Sequence, residues 1–217
     1  MFPLSPHLWF ELASFVASVF YFYKIKNTYL RWLPYYLLFI LVVEFLGRYL
    51  AKVLLVSNIW LYNISIPIEY LYFAYIFFAT YNNRIFKKIA FIFLVSFPFF
   101  IALILILITG IDTFNTSALK LGSFFMLLFC GFYFAELLTS NLIINPLKAI
   151  MFWISSGLLL FNAGEFVYNI FSDSMVKHWN DFGIQLFMKI NNTLIYIFYS
   201  SITIGLIVGK WASKEKI

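Results

Sequence analysis

The chain has 217 residues, 64% of them hydrophobic and only 11% charged, with a formal net charge of +6 at pH 7. A soluble domain carries about a quarter charged residues and must face much of its surface to water, so this composition excludes a soluble globular protein. The basic residues sit in short loops between apolar runs, which excludes nucleic acid as a partner and leaves the lipid bilayer as the medium the chain is built for.

Seven runs of the length a bilayer needs follow one another. The first, 8–23, has no Lys or Arg before it, so it lacks the basic flank of a cleaved secretion signal and reads as a first span. It carries Glu11, Ser14 and Ser18. The second, 33–52, opens with Pro34, which suits a first helical turn. Within it Glu44 and Arg48 stand four apart on one face, beside Gly47. The aromatic stretch Asn58-Ile59-Trp60-Leu61-Tyr62-Asn63 leads into the third, 60–81, and reads as an interfacial belt. Glu69 lies at the middle of that run, near Pro67. The fourth, 86–109, contains Pro98, and both internal prolines predict kinks. The segment Asp112-Thr113-Phe114-Asn115-Thr116 is a turn with helix-capping residue types.

The fifth run, 118–139, holds the single cysteine, Cys130, and near its end Glu136. One cysteine excludes an internal disulfide and a CxxC redox pair. Asn145-Pro146 opens the sixth, 147–171, where Asn162, Glu165 and Asn169 form a stripe at i, i+3 and i+7. The seventh, 184–208, has the longest polar stripe: Gln185, Lys189, Asn192, Tyr196, Ser200 and Thr203. The predicted fold is therefore all-α, a single domain over 1–217 made of a bundle of about seven transmembrane helices, with no linker and no repeat.

Loop charge orients the bundle. Lys24, Lys26, Arg31, Arg84, Lys87, Lys88, Lys148, Lys210, Lys214 and Lys216 fall on one side, and five basic residues fall on the other. The richer side is expected in the cytoplasm, with the N-terminus outside and the C-terminus inside. Heavy use of Phe, Tyr, Ile, Asn and Lys, whose codons are A/T-rich, points to a bacterial genome and so to a multi-pass protein of the cytoplasmic (inner) membrane.

Five of the nine acidic residues (Glu11, Glu44, Glu69, Glu136 and Glu165) fall inside predicted spans. A charge near the bilayer centre costs about 2.5 kcal/mol or more, so such residues face the bundle interior and have a partner or a function. Helical spacing brings Glu44, Arg48, Glu69, Asn162, Glu165, Lys189, Asn192 and Tyr196 toward one polar cavity, open to the outer side. The same stripes also serve as interhelical hydrogen-bond glue, and Glu44–Arg48 as an ion pair that eases insertion; both readings stand at this point.

The inventory supplies no catalytic set, cofactor or metal site. His7 and His178 lie near span ends, which does not suit haem ligation or a zinc hydrolase. All three Asp residues are in loops, so the paired aspartates of an intramembrane protease are missing.

Across most of its length the chain resembles a loose set of small, uncharacterised seven-span bacterial membrane proteins. The resemblance rests on Glu44-Phe45-Leu46-Gly47, Asn58-Ile59-Trp60-Leu61-Tyr62-Asn63, Glu69, Phe114-Asn115-Thr116, and Phe152-Trp153-Ile154 with Gly157. It implies the architecture, and a signalling role for those members that neighbour sensor kinases; it carries over no catalytic residue. The expected function is a sensory or accessory module that takes a small molecule or ion in an outward-facing cavity and acts through a membrane or cytoplasmic partner protein. A small proton- or cation-coupled transporter or channel is the alternative, and an intramembrane enzyme acting on lipid ranks below both.

Overall fold

The computed structural model describes residues 6–139, 145–176 and 181–209, with side-chain surroundings for all of these except 170–176 and 181–188. Every regular element is helical: α1 (Pro6–Phe20), α2 (Phe22–Ile25), α3 (Leu33–Lys52), α4 (Ile59–Thr80), α5 (Arg84–Ile104), α6 (Thr116–Thr139), α7 (Ile150–Val176) and α8 (Asp181–Val208). Among the described residues, five stretches are long and apolar enough to cross a membrane: Tyr29–Lys52, Arg84–Thr109, Thr116–Thr139, Ile150–Asn169 and Lys189–Val208. The molecule is thus an all-α, multi-pass membrane protein. The apolar side chains left exposed, among them Phe20, Val42, Phe99, Ile106 and Leu160, form the lipid-facing surface that a water-soluble protein would bury.

Local chemistry explains the element ends. Pro34 occupies the first turn of α3, where the missing N–H costs nothing. The Asn83 side chain accepts from the backbone N–H groups of Ile85 and Phe86 and so caps α5. Asn115 caps α6 through Ala118 N–H at 3.0 Å. Helix assignment runs through Pro67 in α4 and Pro98 in α5, and α5 ends in a π-helical turn over Leu105–Thr109. Two expected elements are redrawn. The first run breaks at Tyr21 into α1 and the short α2. The Asn145-Pro146 pair opens a 3-10 turn, Pro146–Lys148, and α7 begins only at Ile150.

Short connections make consecutive long helices antiparallel, so that each end of the bundle collects the same set of turns. One end carries His7, Asn58 and the α5–α6 loop; the other carries Arg84, Glu136 and Asn145. Around the bundle α1 packs between α8 and α3, α3 meets α4, α4 meets α6, α6 meets α7, and α7 meets α8. These neighbours close a ring of six helices. Helix α5 lies against α4 and α6 on the outside, which matches its composition: its stretch is the most apolar of the five, with a mean hydropathy of 3.1 over its most apolar 18 residues, of which only 22% are buried.

Small residues set the closest approaches. A Cβ on Gly47 would lie 2.8 Å from the Tyr62 hydroxyl, so α3 and α4 touch there only because glycine is present. At Gly157 an added Cβ would overlap the Ser201 side chain and lock out the α7–α8 contact. Aromatic rings fill the half of the bundle toward Arg84: Phe86 stacks on Phe132 at 4.1 Å and Phe93 on Phe97 at 4.5 Å, while the buried Tyr81 hydroxyl donates to the Phe129 carbonyl at 2.6 Å.

Candidate functional site

The polar half of the bundle is assembled from the His7 end inward. Helical spacing puts Glu44 and Arg48 on one face of α3, and Arg48 Nε lies 3.8 Å from Glu44 Oε2. Helix α1 brings His7 to the same place. Arg48 Nη2 donates to His7 Nε2 at 2.5 Å, and His7 Nε2 stands 3.7 Å from Glu44 Oε2. Helix α4 closes the group: the Tyr62 hydroxyl donates to Glu44 Oε1 at 3.5 Å. The Asn58 amide donates to the Gly47 carbonyl at 3.1 Å and fixes the chain entering α4 against α3. The expected Glu44–Arg48 pair is therefore formed, but as part of a three-helix knot rather than an ion pair private to one helix.

One turn further in on α1, Glu11 is 3% exposed, and its Oε2 has no hydrogen-bond partner. It lies within electrostatic reach of Glu44, Arg48 and Glu69. Glu69, halfway along α4, is half-buried. Two tyrosines face it. The Tyr36 hydroxyl of α3 is directed at Glu69 and at Tyr199. Tyr199 of α8, 5% exposed, sits within reach of Glu69, Glu11 and Glu44 together. Behind Tyr36 the ring of Tyr72 stacks at 4.2 Å, which holds the phenol in place.

Helix α7 supplies the remaining wall. Glu165 lies within electrostatic reach of Glu69 and accepts from the Asn169 amide at 3.2 Å. Asn162 is 2% exposed; its amide N–H donates to the Leu158 carbonyl at 2.9 Å, and its Oδ1 has no partner. From α8 the outcome is mixed. Lys189 is exposed, and its carbonyl accepts from Thr193. Asn192 is half-buried. Tyr196 is also half-buried and stacks on Phe10 of α1 at 4.7 Å. The side chain of Gln185 lies outside the described residues, as does His178.

Part of the polar inventory holds helices together. Ser14 donates to the Tyr199 carbonyl at 2.8 Å and meets Thr203 at 3.0 Å, which bonds α1 to α8. Asn63 donates to the carbonyls of Ile111 and Thr113 at 2.9 and 2.8 Å and accepts from Asn115 N–H at 2.9 Å, so it anchors the α5–α6 loop. Glu136 accepts from the backbone N–H groups of Asn82 and Asn83 at 3.2 and 2.8 Å. It thereby ties the α4–α5 turn to α6 instead of presenting a free acidic surface.

Carboxylates from α1, α3, α4 and α7 thus converge inside one ring, with Arg48 among them and His7 at the mouth. Sequence reasoning had grouped Glu44, Arg48, Glu69, Glu165 and Asn162 by helical spacing. It passed over His7, Tyr36 and Tyr199. Tyr199 lies three residues beyond Tyr196 and was detectable by extending the stripe; nothing in the sequence distinguishes Tyr36 from the other tyrosines. Among the described residues no three His, Cys, Asp or Glu side chains come together as a metal-binding group. The fold and the site define a multi-pass helical membrane protein with an acidic interior. Comparison with protein-family models, with curated proteins and with solved structures finds no match, so the functional reading rests on this geometry.

Proposed function

We propose that the chain is a seven-span protein of a bacterial cytoplasmic membrane, with its N-terminus outside, and that it serves as a sensory or accessory module. The acidic interior binds a small ligand entering from the outer side, and occupancy is passed to a partner protein. The seven-span count adds two elements to the five most apolar stretches. Helices α1 and α2 together cover 6–25, about 30 Å at 1.5 Å per residue, and the 22 residues of α4 reach about 33 Å. Asn63, Pro67, Glu69 and four tyrosines lower the hydropathy of α4, and that same polarity is what the interior uses.

The observation that carries the reading is the buried Glu11, whose Oε2 has no hydrogen-bond partner, within electrostatic reach of Glu44 and Glu69 from two other helices. Intramembrane carboxylates are costly and are kept inside bundles for a task. A second reading, proton- or cation-coupled transport, draws on the partnerless Glu11 Oε2, since a bare carboxylate oxygen in the bilayer is what a travelling cation needs. An enzyme reading has less support: the one described histidine, His7, is engaged with Arg48 and Glu44 and stands beside no nucleophile.

Native mass spectrometry of protein released from nanodiscs tests the leading reading. A stoichiometric small molecule bound to the wild type and missing from Glu69→Gln supports it. A bare chain under every gentle condition, with no partner chain, overturns it. Orientation is tested separately by a C-terminal reporter, expected to be active only in the cytoplasm.

A further inference from the structure

Helix α1 carries a groove on its lipid-facing side, away from the acidic interior. Trp9, Ala13, Ala17 and Tyr21 stand four apart and so form one row along the helix. The backbone N–H of Tyr21 still donates to the Ala17 carbonyl at 2.9 Å, which keeps the row helical to its end. Two large rings thus bound a stretch floored by two methyl groups. The depression between them has a volume of about 430 Å³, and Phe20 and Ile207 of α8 complete its lining. Trp9 is 57% exposed and Phe20 74%, so the groove opens toward lipid. At about 1.5 Å per residue the row from Trp9 to Tyr21 is about 18 Å long, slightly more than the hydrocarbon of one leaflet, about 15 Å.

One end of the groove is charged. Lys24 lies one turn beyond Tyr21, and its Nζ stands 4.3 Å from the centre of the Tyr21 ring and 5.9 Å from that of Tyr23. An ammonium group is attracted to a ring face, so the lysine is held at the end of the groove. The ion pairs among the described residues all involve Glu44, and Lys24 has no acidic partner among them. An apolar channel one leaflet long, with an uncompensated cation at one end, complements an amphiphile with a hydrocarbon tail and an anionic head. A second copy of the chain fits less well. A symmetric contact through this groove would bring the two Lys24 side chains to the same end, charge against like charge.

We propose that the α1 groove binds one acyl chain of an anionic phospholipid, whose phosphate is held by Lys24. This site is separate from the acidic interior, and the assignment stands or falls independently of it. In the test, the full chain is stripped of lipid in detergent and titrated with phosphatidylglycerol or with phosphatidylcholine of the same acyl chains. Native mass spectrometry counts the adducts. One phosphatidylglycerol should bind saturably and about fivefold more tightly than phosphatidylcholine, the weight of one lysine at a membrane surface. Lys24→Gln should remove most of that preference, and Ala17→Leu, which fills the groove, should remove the saturable adduct. A measurement on the wild type alone guards against variants that fail to fold. In nanodiscs, phosphatidylglycerol with a photoreactive diazirine midway along its chain should label the peptide containing Ala13 and Ala17. Unlabelled phosphatidylglycerol should compete that labelling away, and phosphatidylcholine should not. The lipid-facing residues of α5, Phe99 and Ile106 among them, give the uncompeted background. Equal affinity for the two lipids, a preference unchanged in Lys24→Gln, or labelling of α1 no more competable than that of α5 overturns the assignment. A lipid-free dimer that Ala17→Leu returns to monomer would place a second copy in the groove and overturn it as well.

Discussion

Replacing Gly122 by alanine should loosen the α4–α6 contact, and Gly131 on the same helix provides its control. An added Cβ at Gly122 would press into the Tyr70 ring and lie 2.6 Å from its Cζ. Carbon atoms prefer about 3.5–4.0 Å and two ring atoms lie closer still than Cζ, so the ring must retreat by more than about 1 Å. It has little freedom to do so, because Tyr70 is 5% exposed, its hydroxyl bonds Ser123 at 2.9 Å, and its ring meets Phe97 edge-on at 6.1 Å. Overpacking of this kind costs about 1–3 kcal/mol, and loss of the Tyr70–Ser123 bond adds about 1 kcal/mol. The helix-propensity gain of alanine over glycine, about 1 kcal/mol, offsets part of this. The net expectation is a destabilisation of about 1–3 kcal/mol, roughly a fivefold to 150-fold shift in the folding equilibrium. At Gly131 nothing lies within 4 Å of an added Cβ, so the propensity gain acts alone and Gly131→Ala should be neutral or slightly stabilising. Equilibrium unfolding of both variants in the same mixed micelles measures the difference. Equal stabilities for the two would refute the close α4–α6 packing around Tyr70.

Three other perturbations probe the remaining polar groups. Arg48→Met leaves Glu44 without its cation in a setting where both side chains are only about one-fifth exposed, and should destabilise by about 2 kcal/mol; adding Glu44→Gln should restore most of it, as unfolding of the single and double variants will show. Asn63→Leu removes three hydrogen bonds at about 1 kcal/mol each, and the α5–α6 loop of the purified protein should then be cut by added protease many times faster than in the wild type. Glu136→Ala frees the N–H groups of Asn82 and Asn83 and should lower stability by about 1–2 kcal/mol without altering association with any co-purifying chain. A change in association with stability intact would instead assign Glu136 a docking role.

Periodicity made some of the site legible. Glu44 and Arg48 are four residues apart, so one helix decides their pairing, and the same holds for Glu165 with Asn169. Residues joined across helices were not legible in that way. His7 looked like a terminal residue because its partners, Glu44 and Arg48, are more than 35 positions away. Lys189 looked like a member of the interior because it continues a stripe, yet it is exposed, since a stripe gives a face and not how far along that face the neighbouring helices enclose it. Asn63 looked like part of an aromatic belt, and its role appears only when α4 meets the loop beyond α5.

By itself the sequence determined the solvent and the secondary structure. Long apolar runs with few charges can satisfy their backbone groups in lipid only as helices, and this requirement is local to each run. It also determined that carboxylates must lie inside the bundle, because the cost of exposing them to hydrocarbon does not depend on which helix is next to which. Tertiary structure alone decided that α5 lies outside the ring, that Tyr36 and Tyr199 face Glu69, and that Ser14 and Thr203 bond to each other while Glu11 keeps a bare oxygen. Those outcomes depend on which helices are neighbours and in what register, and packing sets both through small residues such as Gly47, Gly122 and Gly157, whose meaning lies in the side chain that comes to rest against them.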